Sequence, residues 1–225
     1  MCREGLLLNK QQIRAILDTA AKMFPDAHCE LVHSNPFELT VAVLLSAQCT
    51  DEAVNKVTAQ LFQKYRSPED YLLTTLEQLQ EDLRRIGLFR NKAKHIRELC
   101  RLLIAEYNGQ IPDRYEELVK LPGVGRKTAN VVMSNAFGIP AIAVDTHVER
   151  VSKRLGIANW NDSVLDVENK LMRAVPRDEW TITHHRLIFL GRYQCKALQP
   201  KCESCMMLTW CREGKKRIKK VIKDD

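Results

Sequence analysis

Leu121-Pro122-Gly123-Val124-Gly125-Arg126-Lys127-Thr128-Ala129 is the most informative stretch of this 225-residue chain. A helical pattern runs into it from Asp113 to Lys120. Beyond it, Ala129, Val132, Met133, Ala136 and Phe137 recur at i, i+3, i+4, i+7 and i+8, the stripe of a second amphipathic helix that opens near Arg126. Two glycines bracketing one apolar residue form the joint. Glycine allows positive φ and close backbone approach, and the free N–H groups at the start of the following helix make an anion site, which a DNA phosphate fits. A tight interhelical turn, with glycines serving geometry only, reads equally well from spacing alone.

Lys127 lies about 150° from the centre of the stripe at about 100° per residue, off the core face. In the first helical turn, both the helix dipole and neighbouring Arg126 favour the neutral amine, a form that can act as a nucleophile and make a Schiff base. Pairing with a phosphate is the more ordinary role for a basic residue there. Eighteen residues on, Ile142-Ala143-Val144-Asp145-Thr146-His147-Val148 puts Asp145 after an apolar run and before a helical pattern, so it reads as an N-cap. An ionised carboxylate at that position could also offset positive charge developing on a sugar.

Outward from this centre the chain reads as nearly all helix. Lys10 to Phe24 is amphipathic and stops at Pro25; Asn35-Pro36 supplies a cap with proline at the first helical position; Asp51 can cap the segment bearing Val54, Val57, Leu61 and Phe62; and Ser67-Pro68-Glu69-Asp70 repeats the start signal. Further helical patterns cover Thr75 to Arg85, Asn91 to Tyr107, Ser163 to Val175 and Glu179 to Tyr193. Strand-like alternation is nearly absent, and no long linker marks a domain boundary.

With 45% hydrophobic and 28% charged residues, 9 Gly and 8 Pro, the composition excludes collagen-like, disordered and low-complexity classes. No run approaches the ~20 apolar residues of a membrane span, and the N-terminal apolar run is too short for a signal peptide, so a cytoplasmic, reducing setting is expected. The net charge of +7 favours a polyanionic partner. Four of those charges lie in residues 212–225, where Arg212, Lys215, Lys216, Arg217, Lys219, Lys220 and Lys223 outweigh Glu213, Asp224 and Asp225. This tail could sit near DNA or be merely solvated. Of eight cysteines, Cys2, Cys29, Cys49 and Cys100 are scattered and read as ordinary thiols, whereas Cys195-x6-Cys202-x2-Cys205-x5-Cys211 supplies four thiolates within seventeen residues. That set suits tetrahedral zinc or a four-iron cluster. One C-x2-C pair and gaps of six and five weaken zinc without establishing iron. His184 and His185 read as polar helix residues without a ligand role.

The ordered trio of LPGVGRKTA, AVDTH and the four-cysteine motif resembles the endonuclease III family of bacterial helix-hairpin-helix DNA glycosylase/AP lyases, over about Lys10 to Arg217. The resemblance implies an all-α helix-hairpin-helix glycosylase fold of two domains with DNA gripped at their cleft: a helical barrel domain at residues 29–139, and an iron-sulfur cluster domain from residues 1–28 and 140–225. It implies a monomeric, nucleoid-associated enzyme of base excision repair that acts on double-stranded DNA carrying an oxidised pyrimidine or an abasic site. Position by position, Lys127 and Asp145 match the catalytic pair, and Cys195, Cys202, Cys205 and Cys211 the ligands of a [4Fe-4S] cluster. Gly123, Val124 and Gly125 match the DNA-binding hairpin, Gln48 the residue that fills the gap left by an extruded nucleotide, and Leu88 the wedge. Without the resemblance, Gln48 reads as a polar loop residue and Leu88 as a partly buried apolar one.

Three other readings stand beside it at this level. Adenine-type mismatch glycosylases share the hairpin, the aspartate and the cluster; Lys127 argues against them, as does the small amount of chain after Cys211. A non-catalytic DNA-binding module holding zinc would explain the cysteines and the hairpin, whereas an electron carrier would leave the hairpin and Lys127 unexplained.

Overall fold

A computed structural model describes residues 8–224, with side chains as far as Lys219; Cys2, the N-terminal apolar run up to Leu7 and the side chains of Lys220 and Lys223 lie outside the described residues. The helices are α1 (Lys10–Met23), α2 (Pro36–Leu45), α3 (Asp51–Lys64), α4 (Pro68–Leu73), α5 (Leu76–Asp82), α6 (Phe89–Tyr107), α7 (Tyr115–Leu118), α8 (Arg126–Ala136), α9 (Thr146–Leu155), α10 (Val164–Ala174), α11 (Trp180–Phe189) and α12 (Arg212–Asp224). There is no strand among the described residues, so the fold is all-α.

The helix starts follow local chemistry. Asn9 and Gln12 form a reciprocal capping box at α1, Asn35 accepts from the Glu38 N–H with Pro36 at the first position of α2, and Ser67 pairs with Asp70 at α4. The cap of α3 is Thr50, not Asp51. Thr50 has the extended backbone a cap requires and its hydroxyl accepts from Ala53 N–H at 3.2 Å, so Asp51 becomes the first helical residue, where its charge suits the helix dipole. The helix expected from Asp113 to Lys120 shortens to α7. Bonds of the i→i+3 kind at Lys120 and Leu121 tighten its end, and Pro122 disfavours helical backbone at Leu121. At α6 the helix opens two residues earlier than Asn91, because Leu88 adopts left-handed backbone and Phe89 starts the helix.

Two compact units result. Cys29–Ile139 forms one, containing α2 to α8. Its centre is α2, buried at Phe37 and from Leu39 through Leu45, with α8 and α6 packed against it and α4 against α6. The other joins the chain up to His28 with the chain from Pro140 onward. There Ile16 and Ala20 of α1 meet Val148, Val151 and Leu155 of α9, Val167 and Leu171 of α10, and Leu187 of α11; Leu190 and Met207 complete the core.

His184 and His185 are polar residues of α11 in this second unit, as their sequence suggests, and both are buried, at 2% and 6% exposure. Burial, reinforced by His28 and Arg192, holds the His185 imidazole down to about 4 from its ordinary 6.5. The folded state therefore keeps His185 neutral where the unfolded chain would protonate it, so this contribution to stability is complete above pH 6.5 and is lost as pH falls towards 4. Urea denaturation at stepped pH should show the parent losing up to about 3 kcal/mol across that window, and His185→Asn losing distinctly less; parallel pH profiles would contradict the assignment.

Candidate active site and metal centre

The hairpin sits between α7 and α8, closed by the Val124 N–H donating to the Leu121 carbonyl at 3.0 Å. Gly123 has φ +78°, and a Cβ there would lie 2.8 Å from Leu44 Cδ2 and 3.2 Å from His95 Cβ. Conformation and packing both demand glycine. Gly125 differs: its backbone is extended, at φ −92° and ψ −179°, and a Cβ would meet nothing within 4 Å. Its lack of a side chain serves neither the turn nor the core, so it keeps an outer surface clear. Val124 between them is buried and pins the loop. No side chain caps α8, so its first-turn N–H groups face the side of the hairpin without a helical acceptor.

Lys127, the second residue of α8, is exposed, and no hydrogen bond or ion pair holds its Nζ among the described residues. Its neighbour Arg126 lies over the Tyr115 ring at 5.8 Å from the centroid. The expected apolar stripe is only partly right. Ala129 and Val132 are fully buried, but Asn130, Val131 and Ser134 are buried too while Met133, Ala136 and Phe137 are half-buried, because α8 packs against both α2 and α7.

Gln48 and Leu88 share a property that sequence does not reveal. Both are exposed and both have left-handed backbone, at φ 57° and 58°, which is uncommon for glutamine and a genuine outlier for leucine. Leu88 is 55% exposed, more than the partly buried apolar residue its sequence suggests. The two loops are neighbours, since a Cβ on Gly87 would lie 3.6 Å from Cys49 Sγ and 3.9 Å from the Gln48 carbonyl. Strained backbone at two exposed residues on neighbouring loops is the sort of geometry that functional sites retain. Lys92, which sequence reasoning missed, lies beneath them and is 4% exposed.

In the other unit Asp145 is the N-cap of α9. Its Oδ1 accepts from the N–H groups of His147 at 2.9 Å and Val148 at 2.8 Å, and no protein group among the described residues takes Oδ2. Burial pushes the half-buried His147 towards its neutral form, with Arg150 adding to the effect and Asp145 opposing it. Arg150 donates to His147 Nδ1 at 3.2 Å and to the Gly191 carbonyl at 2.9 Å.

Cys195, Cys202, Cys205 and Cys211 line one cavity, walled by Val151, Leu155, Leu190 and Met207. A π-helical turn, Leu190–Gln194, extends α11 to Cys195. Arg154, 7% exposed, donates to the Lys196 and Ala197 carbonyls at 2.7 and 2.8 Å and to Cys195 Sγ at 3.4 Å. Burial pushes the Cys202, Cys205 and Cys211 thiols up, so thiolates at these positions would need a compensating positive charge. Among the described residues, no three His, Cys, Asp or Glu side chains are gathered closely enough to hold a single metal ion.

The family described as "HhH-GPD superfamily base excision DNA repair protein" matches residues 41–177, which span the hairpin, Lys127 and Asp145. The chain belongs to this superfamily of helix-hairpin-helix base excision DNA repair proteins. Within it, the relatives are endonuclease III proteins: that of Bacillus subtilis (strain 168) is 65% identical over 214 residues, covering 95% of this chain and 98% of that protein. That of Escherichia coli (strain K12) is 44% identical over 211 residues, covering 94% and 99%. A solved structure described as a trapped endonuclease III–DNA covalent intermediate, in an estranged-adenine complex, superposes with a TM-score of 0.92 at 67% identity, covering 94% of this chain and all of that one. The fold is thus the helix-hairpin-helix glycosylase fold.

The two hairpin glycines should respond differently to alanine. Gly123→Ala is expected to cost roughly 1–3 kcal/mol, from positive φ and the Leu44 contact, whereas Gly125→Ala should stay within about 0.5 kcal/mol. Chemical denaturation of the two variants checks this, and equal losses would contradict it.

Proposed function

We propose that this chain is a bifunctional DNA glycosylase and abasic-site lyase that removes oxidised pyrimidines from double-stranded DNA in base excision repair, working as a monomer in the bacterial cytoplasm at the nucleoid. The observation that carries the reading is an exposed, unpaired Lys127 in the uncapped first turn behind the glycine hairpin, in a chain 67% identical to an endonuclease III solved as a trapped covalent intermediate with DNA.

The chemistry follows from these groups. A base inside the stack is out of reach, so the damaged nucleotide is extruded, and Gln48 and Leu88 fill the space it leaves. Phosphates dock on the backbone of Gly123, Val124 and Gly125 at the positive end of α8. The neutral amine of Lys127 attacks C1′ of the sugar, the N-glycosidic bond breaks, and the base leaves with the bonding pair. Asp145 stabilises the cationic sugar with its uncommitted Oδ2 or assists proton removal. The C1′–O4′ bond then opens, O4′ taking up the proton the lysine nitrogen loses, and the resulting Schiff base acidifies the C2′ protons; loss of one expels the 3′ phosphate by β-elimination. By this reading residues 29–139 are the helical barrel domain with the hairpin, and residues 1–28 and 140–225 the cluster domain.

The cysteine cavity fits a [4Fe-4S] cluster better than zinc. Zinc gathers four sulfurs at about 2.3 Å from one centre, whereas a four-iron cluster takes one thiolate at each iron and needs donors around a wider hollow. Here the four thiols share a cavity without converging on a single point. Gly214 also donates its N–H to Cys211 Sγ at 3.2 Å, and a Cβ there would press on Cys211 and Leu208. When bound, the cluster cross-links residues 195–211 and supplies a redox centre. Arg154 and the Gly214 N–H orient the sulfurs, and the aliphatic wall keeps water out.

Duplexes carrying thymine glycol, uracil or an abasic site, incubated with and without borohydride, test the activity. Thymine glycol release and a trapped covalent adduct are expected from the parent, and no adduct from Lys127→Gln. Release of uracil alone, or trapping that survives the substitution, would sink the proposal. Iron and acid-labile sulfide in equal amounts, about four of each per chain, are expected from the purified protein; stoichiometric zinc would overturn the cofactor assignment.

A further inference from the structure

We propose that Lys92 is a positioning residue for nucleotide extrusion, locking the loops that present Gln48 and Leu88 into one rigid unit. The inference rests on the reading of those two residues as the ones that fill the vacated space. Lys92 lies on α6 and is 4% exposed. Its Nζ donates to the Leu45 carbonyl at 2.9 Å and the Ala47 carbonyl at 2.6 Å, and lies 3.6 Å from Cys49 Sγ. These three groups flank Gln48 on both sides. Its own backbone N–H donates to the Leu88 carbonyl at 3.1 Å. One residue therefore holds both loops, through its side chain on one and its main chain on the other.

The chemistry is unusual for a purely structural lysine. A buried ammonium carries a desolvation cost that an apolar side chain of similar size avoids. No carboxylate pairs with Lys92 among the described residues. Its three N–H donors go instead to two carbonyls and a thiol, at the negative end of the α2 dipole. What this arrangement secures is local: the segment Ser46 to Cys49, whose central residue Gln48 has strained φ, and the turn in which Leu88 has the same strain. A side chain that must occupy a gap in stacked bases contributes only when held at the right place, since a mobile one spends the interaction on its own ordering.

The test is a double-mutant cycle on the full-length protein with its cluster, using Lys92→Met, Gln48→Ala and the pair. Single-turnover excision of thymine glycol from duplex DNA is one readout. The fluorescence of 2-aminopurine placed opposite the lesion, measured in a Lys127→Gln background so that nothing is cleaved, is the other. If Lys92 acts through Gln48, Lys92→Met lowers excision by about tenfold and suppresses the fluorescence rise on binding, and the double variant is scarcely worse than Gln48→Ala alone. Lys92→Arg, which keeps the cation and its donors, restores most of both signals. Where Lys92→Met lowers the yield of folded protein, Lys92→Gln carries the same cycle. Multiplicative losses in the double variant, or normal fluorescence and excision in Lys92→Met, overturn this inference while leaving the proposed activity intact. An inert Gln48→Ala overturns the underlying reading of Gln48, and this inference with it.

Discussion

The carbonyl end of α2 is the constraint on which the Cys29–Ile139 unit depends. The last carbonyls of a helix have no donors within it and need partners from elsewhere. Here the N–H of Ser46 takes those of Ala42 and Val43, and Lys92 takes that of Leu45 and continues to Ala47. One residue earlier, the Leu44 side chain lies where a Cβ on Gly123 would have to go. The hairpin and the Gln48 loop therefore take their positions from the same turn of the same helix. Because α2 is buried along nearly its whole length, that turn is a fixed reference, and two irregular loops inherit the precision of a core element.

The other unit solves a comparable problem with guanidinium groups. The segment from Cys195 to Cys211 is a run of turns whose only fully buried apolar side chain is Met207, so hydrophobic burial alone holds it weakly. Arg150 and Arg154 on α9 reach the carbonyls of residues 191, 195, 196 and 197. The planar, multi-donor fork of arginine suits this fan of acceptors in a way that lysine would not. Since α9 also begins at Asp145, the carboxylate proposed to stabilise the cationic sugar and Cys195, the first of the proposed cluster ligands, are spaced by a single short helix and the side chains it projects.

Much of this was legible in sequence because it is local. Asn35-Pro36, Ser67 with Asp70, and Asp145 ahead of its helix are cap signals that depend on a few neighbouring residues, and the structure has them as read. Thr50 and Asp51 are adjacent residues that both cap well, and only backbone geometry decides between them. The hairpin was legible as two glycines, but not that one is required by packing on Leu44 and the other faces open space, because that difference is tertiary. Lys92 was invisible for the same reason. In Arg90-Asn91-Lys92-Ala93-Lys94-His95 it reads as one more basic residue on a solvated face, and only carbonyls forty-five or more positions earlier make its burial tolerable. The left-handed backbone at Gln48 and Leu88 gave no sign either, since neither residue type advertises it. His184 and His185 were legible as polar helix residues but not as buried ones, because helical spacing near a broad apolar face does not show how far burial extends.

The chain order of the two units has a consequence for how the protein is made. The Cys29–Ile139 unit is continuous in sequence, whereas its companion is assembled from segments on either side of it. On a ribosome the continuous unit can fold as soon as it emerges, while α1, made first, waits for its packing partner α11 and for the Glu179 carboxylate that meets Arg14 at 2.7 Å. The four clustered cysteines come later in the chain than either partner of this ion pair. A nascent chain that stops before α11 would therefore hold a finished glycine hairpin in one unit and, in the other, an α1 still without the helix on which it packs.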